Sequence, residues 1–136
     1  MNEFMLDATA VQELLKPLFP GLMGIELKEV TPDRVVASLP VRPDLCTTGG
    51  ILHGGAIMAF ADTLGAVGTF VNLPAGGRTT TIESKTNFLG AVPVGTRARG
   101  ESTPVHRGRT TMVWQTLIKS DSGKLCAMVI QTQMIL

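Results

Sequence analysis

The spacing of hydrophobic and polar residues changes period several times along the chain. Val11, Leu14, Leu15 and Leu18 recur at helical spacing, and Asp7 stands where a cap is needed. Pro17 has no amide to give, so this first helix is predicted to end near Lys16, with Pro20 and Gly21 closing the segment. Met23 to Val30 predicts a strand, and Thr31-Pro32-Asp33 a turn. Arg34 to Leu39 (RVVASL) predicts the second strand of an antiparallel hairpin. Pro40 to Gly50, rich in Pro, Asp, Thr and Gly, predicts a loop.

A long helix is predicted next, from about Gly54 to Val71. It is apolar on nearly every face and so must be surrounded. Pro74 to Gly77 breaks the chain. Four β-rich stretches follow: Arg78 to Leu89, Thr96 to about Val105, Thr110 to Ser120 and Lys124 to Ile135. The turns between the last three are His106 to Arg109 and Asp121-Ser122-Gly123. No internal repeat interrupts the order of helix, two strands, long helix and four strands. Such a helix needs a sheet that curls around it, and an antiparallel sheet can do so while leaving its outer face for solvent or a partner. The expectation is therefore an α+β fold in one domain spanning residues 1–136.

Composition narrows the function. A chain of 136 residues with 44% apolar and 17% charged residues suits one globular domain. A net charge of +1 and 4% aromatic residues, with no Tyr, argue against a nucleic-acid partner. Cys46 and Cys126 form no CxxC pair, so two reduced thiols in a cytoplasmic protein are expected, with neither a disulfide framework nor a metal site. The first residues carry acidic side chains and no basic region before the apolar ones, unlike a signal peptide. Ala56 to Leu73 approaches the length of a membrane span, but an ionised Asp62 inside it would cost about 3 kcal/mol or more, so a buried helix of a soluble domain is predicted.

The candidate chemistry lies in Gly49-Gly50-Ile51-Leu52-His53-Gly54-Gly55, with Asp62 beyond it. The first amides of a helix lack intrahelical partners, and the helix dipole adds positive charge there. Two glycines leave those amides uncovered, as a developing oxyanion requires. The structural alternatives are tight packing for Gly54 and Gly55 and a satisfied structural histidine for His53. Asp62 is the more telling residue. A carboxylate on an apolar helix is costly unless it is used, paired in a salt bridge, or bonded to a nearby hydroxyl.

Gly54 and Asp62 are eight residues apart, which places them ~12 Å apart along one helix. A nucleophile must come within ~3–3.5 Å of the carbon it attacks. One helix cannot therefore serve both ends of one substrate. Two antiparallel copies can, across a two-fold axis, so a single site built from these residues implies at least a homodimer with two shared sites. No G-x-S-x-G elbow, clustered zinc ligands, P-loop or dinucleotide signature is present, so neither a metal nor a cofactor is expected.

The stretches HGGAIMAFADTLGAV, TTTIESKTNFLGAVPVGT, HRGRTTMVWQTLI and SGKLCAMVIQTQ resemble the hot-dog thioesterases of the phenylacetate-pathway (PaaI-like) type, over roughly Pro40 to Gln133. The resemblance implies a hot-dog fold and acyl-CoA thioester hydrolysis by a homodimer, usually doubled to a dimer of dimers. It implies Gly54 N–H as oxyanion donor and Asp62 as nucleophile or general base. It further implies that His53 helps hold the helix start and the thioester carbonyl. It also implies a Ser or Thr on the next strand that orients the water or the acid; Thr81 fits best, with Thr80 beside it. Close relatives often carry Asn six residues before the His. Here that position is Thr47, shorter and without an amide, and Thr48 is placed to share the role. Coenzyme A brings phosphates, for which His106-Arg107-Gly108-Arg109 is a candidate clamp, with Arg97 and Arg99 on one strand face. Solvated surface charge is the alternative for each Arg. Hot-dog hydratases use an Asp and His pair on a different loop pattern. The acyl group is left open between small aromatic and short to medium aliphatic chains. The competing function is a non-catalytic acyl-CoA-binding module, against which the lack of a DNA-binding segment counts.

Overall fold

The structure is a computed structural model that describes residues 6–136. The first five residues, where a signal peptide would begin, lie outside the described residues. Helix α1 is Ala8–Leu15, and the Asp7 side chain accepts the Ala10 N–H at 2.9 Å. The helix stops at Lys16, one residue before Pro17. Its Gln12 side chain bonds Ile25 O and Leu27 N–H at 2.9 and 2.7 Å, which ties the helix to the first sheet strand. A short helix α2, Phe19–Met23, follows where the sequence pattern predicts only a break. Pro20 lies in its first turn, where a missing amide costs nothing, and Gly24 ends it at φ 88°. The Arg42 guanidinium then takes the Met23 and Leu22 carbonyls at 2.6 and 2.8 Å.

Because α2 occupies Met23, strand β1 begins later than predicted, at Glu26–Thr31, and pairs with β2, Arg34–Pro40. The expected loop from Pro40 to Gly50 is more ordered than its composition suggests. It holds a 3-10 turn, Pro43–Leu45, and a two-residue strand β3, Cys46–Thr47, paired with β4, Ile51–Leu52. Gly49 and Gly50 turn that small hairpin at φ 90° and 72°, a conformation open to glycine. Helix α3, Gly54–Phe70, matches the predicted long helix closely. Strands β5 (Thr79–Phe88), β6 (Arg97–Arg107), β7 (Thr111–Lys119) and β8 (Leu125–Ile135) complete the chain. Strand β6 runs two residues past the predicted end, because a register shift between Pro104 and His106 lets pairing with β7 resume beyond the proline. His106 and Arg107 are therefore strand residues, and the turn itself is shorter than expected.

The six long strands form one antiparallel sheet in the order β1-β2-β6-β7-β8-β5. Helix α3 lies across its inner face, with Ile57, Phe60, Ala61, Leu64 and Val67 in the main core. This is the α+β arrangement predicted from the element order. Two glycines let the helix settle this close. A β-carbon on Gly65 would lie 2.3 Å from the Gln131 side chain, and one on Gly68 would lie 2.6 Å from Trp114. Trp114 is fully buried and donates its indole N–H to Thr69 Oγ1 at 2.9 Å.

The sheet does not cover the whole helix. Gly55, Met58, Asp62, Ala66 and Phe70 fall three or four residues apart and stay partly or fully exposed. The expectation that every face is surrounded thus fails along one stripe, which runs the length of α3 and carries Asp62 near its middle. No helix among the described residues is long and apolar enough to cross a membrane.

Candidate active site

The start of α3 is prepared by the β4 segment that precedes it. His53 is the N-cap residue, in extended backbone at φ −64° and ψ 139°. Its Nδ1 accepts the Gly55 N–H at 2.7 Å, so the ring's own hydrogen resides on Nε2. One of the two glycine amides is thereby engaged. Gly54, the first helical residue, has no intrahelical acceptor for its N–H, and no side chain of its own screens it. Its neighbour is Phe88 at the end of β5, whose ring would lie 3.2 Å from a β-carbon placed on Gly54. No acidic side chain occupies the first turn to neutralise the positive helix end. A depression of about 410 Å³ opens here, bordered by Leu22, Arg42, Leu45, His53, Gly55 and Ala59.

Asp62 meets β5 near its start. Thr81 Oγ1 donates to Asp62 Oδ1 at 2.6 Å. Of the two neighbouring threonines it is Thr81 that faces the helix. Thr80 is exposed, opposite Met134 on β8, and borders a second groove. That groove, about 580 Å³, runs between α1 and the second half of α3, past Leu14, Leu15, Leu18, Ala66, Phe70 and Thr79.

Two residues that the sequence pattern did not single out join the same cluster. Gln133 Nε2 donates to Thr81 Oγ1 at 2.5 Å, and Thr79 Oγ1 lies 3.0 Å from Gln133 Oε1. Gln131 Nε2 reaches the Asp62 main-chain oxygen at 3.2 Å and Oδ1 at 3.5 Å. Both glutamines are fully buried, and Gln131 Oε1 has no hydrogen-bond partner among the described residues. An unpaired buried acceptor costs about 1–3 kcal/mol. The available signal was parity. In β8, Ala127, Val129, Gln131 and Gln133 share the buried face, so two amides stand where the strand's own alternation calls for apolar side chains.

The other candidates lie elsewhere in the chain. Thr47 and Thr48 are exposed on the β3–β4 hairpin, on the approach to His53. Arg107 is held by its own chain, with Nη1 on Pro32 O at 2.9 Å and on Asp33 Oδ1 at 2.8 Å. Gly108 donates its N–H to Thr111 O at 2.8 Å, and Arg109 is exposed beside it. Arg97 pairs with Glu26 on the outer sheet face, where Arg99 is also exposed. That pairing holds the Glu26 carboxyl below its ordinary value, chiefly through the Arg97 hydrogen bond. Cys46 and Cys126 are both free thiols. Among the described residues no cluster of three or more His, Cys, Asp or Glu could hold a metal ion.

The arrangement therefore offers an uncovered helix-start amide, and an oriented carboxylate two turns further along the same open stripe. An amide of this kind can polarise a carbonyl and a carboxylate of this kind can attack or act as a base, but within one protomer the two are too far apart to meet on one substrate.

Known proteins point the same way. The proofreading thioesterase EntH of Cronobacter turicensis is 32% identical over 121 residues, covering 89% of this chain and 84% of that protein. The 1,4-dihydroxy-2-naphthoyl-CoA hydrolase of Escherichia coli is 29% identical over 106 residues, covering 78% and 77%. Among solved structures, a thioesterase from Haemophilus influenzae superposes with a TM-score of 0.90 at 27% identity, covering 96% of this chain and 91% of that one. The family model described as the thioesterase superfamily matches residues 49–127, the stretch that holds the glycine turn, α3, β5 to β7 and the start of β8. With its long helix laid on a curved six-stranded antiparallel sheet, this chain is a hot-dog thioester hydrolase and belongs to the thioesterase superfamily.

Proposed function

We propose that the protein hydrolyses acyl-CoA thioesters of the small aromatic or short to medium-chain kind, at two sites shared across a homodimer. The observation that carries this reading is Asp62. It is the one charged residue of α3, it lies on the stripe its own sheet leaves open, and a threonine hydroxyl orients it.

The dimer follows from the lengths. In one protomer the Gly54 amide and the Asp62 carboxylate are ~12 Å apart along the helix. Strand β5 is the last strand of the sheet, with one edge unpaired among the described residues, and α3 follows it from Phe88 beside Gly54 to Thr81 beside Asp62. Antiparallel pairing of two β5 edges would satisfy that edge and lay two α3 stripes side by side. The Gly54 end of one protomer would then meet Asp62 of its partner. Doubling to a dimer of dimers in the cytoplasm completes the proposed assembly. The free state of Cys46 and Cys126 suits that compartment.

In the reaction, the thioester carbonyl oxygen accepts from Gly54 N–H, and the carbon–oxygen π pair moves onto that oxygen during attack. By one route, an Asp62 oxygen bonds to the carbon, the thiolate leaves with its electron pair, and water cleaves the resulting anhydride. By the other, Asp62 takes a proton from water as that water attacks, and the thiolate leaves when the intermediate collapses. Both routes consume one water, return Asp62 as the carboxylate, and deliver one proton to the thiolate. The groove of about 580 Å³ past Ala66 and Phe70, lined mainly by aliphatic side chains, supports a short or medium acyl group in the protomer that supplies Asp62. Thr47 and Thr48, exposed on the β3–β4 hairpin, and the Gly55 turn are the groups offered to the substrate from the helix start, and Arg109 with Arg107 supplies cationic groups for the CoA phosphates.

A panel of acyl-CoA esters followed by free-thiol release tests the substrate class. Asp62→Asn tests the site: the amide keeps the shape, so thioester binding is expected to persist while kcat falls about a thousandfold or more. An Asp62→Asn protein with near-native turnover would reject the reading.

A further inference from the structure

The geometry points to Gln133, assisted by Gln131, as a positioning residue that commits Oδ1 of Asp62 to the protein and leaves Oδ2 as the oxygen that reacts. This inference rests on the reading of Asp62 as the attacking or activating group.

The polarity of the cluster can be worked out from the carboxylate outward. A carboxylate brings only lone pairs, and a threonine hydroxyl has one hydrogen. The 2.6 Å contact between Thr81 Oγ1 and Asp62 Oδ1 therefore uses that hydrogen. With it committed, Thr81 can meet Gln133 only as an acceptor. Gln133 must turn Nε2 toward Thr81, at 2.5 Å, and its Oε1 toward Thr79 Oγ1, at 3.0 Å. A hydroxyl rotates freely until a second partner fixes it, and the Gln133 amide is that partner. Without it, the Thr81 hydrogen is free to leave Asp62.

Gln131 acts from the neighbouring position on β8. Its Nε2 lies 3.2 Å from the Asp62 main-chain oxygen and 3.5 Å from Oδ1. Among the described residues, both side-chain contacts to the carboxylate fall on Oδ1. Gln131 is fully buried, and among the described residues no group donates to its own Oε1. A residue retained for stability alone would not bury an unpaired acceptor, since an apolar side chain of similar size avoids that cost. The helix also makes room for this amide. Gly65 lies one turn beyond Asp62, and a β-carbon there would fall 2.3 Å from Gln131 Cδ. The missing side chain on α3 lets the amide fit against the helix and confines it there.

Because either route needs one unencumbered carboxylate oxygen aimed at the neighbouring protomer's glycine amide, loss of this order should appear in turnover rather than in binding. The test uses the full chain, with kcat and KM for a turned-over acyl-CoA ester and thermal midpoints for each variant. Gln133→Met removes the donor at nearly constant shape, and its kcat is expected to fall about 10- to 100-fold with KM within about threefold of wild type. Gln133→Glu keeps the shape but presents acceptors to Thr81, which draws its hydrogen away from Asp62, and a loss at least as large is expected. Gln131→Met is expected to lower kcat by about three- to tenfold with little change in thermal midpoint, since the loss of the two long Nε2 contacts is offset by removal of an unpaired acceptor.

If Asp62→Asn is inactive while Gln133→Met and Gln133→Glu keep kcat within about twofold, the positioning role is wrong and the role of Asp62 stands. If Asp62→Asn is active, the underlying reading fails instead. Losses that follow only the folded fraction would likewise overturn the positioning role. Should Gln133→Met not fold, Gln133→Glu and Gln131→Met decide.

Discussion

Replacing Thr81 by valine is the sharpest single perturbation of this site. Valine keeps the shape and removes only the hydroxyl that donates to Asp62 Oδ1 and accepts from Gln133 Nε2. A hydrogen bond to a charged group contributes about 1.5–3 kcal/mol. If that energy serves to hold the carboxylate in its reactive orientation, its loss raises the barrier by up to the same amount. At about 1.4 kcal/mol per decade, kcat falls roughly 10- to 150-fold. A second effect acts on stability. Gln133 is fully buried, and its Nε2 is left without an acceptor, at a cost of about 1–3 kcal/mol. For a domain of this size that lowers the thermal midpoint by about 3–10 °C. Thr81→Ser keeps the hydroxyl and is expected to recover most of the turnover. Steady-state kinetics on a turned-over acyl-CoA ester, with a melting curve for each variant, measures both. A folded Thr81→Val protein with kcat within about twofold of wild type would refute the argument, since the bond would then contribute nothing to the reaction.

Other changes probe other parts of the molecule. Gly68→Ala would place a β-carbon 2.6 Å from the fully buried Trp114, and overpacking of this kind costs about 1–3 kcal/mol, so a melting curve should show a clear fall. Glu26 is held below its ordinary carboxyl pKa by Arg97, so its contribution to stability is present above the unfolded-state value and is lost as pH falls through the folded one. Glu26→Gln should therefore narrow the gap between urea midpoints at about pH 7 and about pH 3, and an unchanged gap would count against that coupling. Arg109→Ala should raise KM for acyl-CoA by about three- to tenfold and leave a thioester lacking the nucleotide unaffected, whereas an equal effect on both would remove Arg109 from the phosphate site.

Much of this architecture was legible in the chain. The change from helical to alternating periods placed all six long strands and both ends of α3, because periodicity is a local consequence of backbone geometry. The one charge of α3 and the His53-Gly54-Gly55 start could be singled out for the same reason. Each breaks a local rule of burial or capping, and such breaks are visible without a neighbour. The short helix at Phe19–Met23 was missed because Pro20 and Gly21 serve a helix start as readily as a turn.

What only the tertiary structure decided is which distant residues stand around Asp62. Thr81 rather than Thr80 faces the helix because of how β5 pairs with β8, whose register shifts between Thr81 and Glu83, and a shift of register is set by the partner strand. Gln131 and Gln133 lie about seventy residues downstream of the carboxylate. In sequence they are two polar residues in a strand. Only the antiparallel pairing of β8 with β5 beneath α3 brings their amides to Thr81 and Asp62. The open stripe of α3 has the same origin: hydrophobicity states that a face avoids water, and the curvature of the sheet determines which face is left to find another partner.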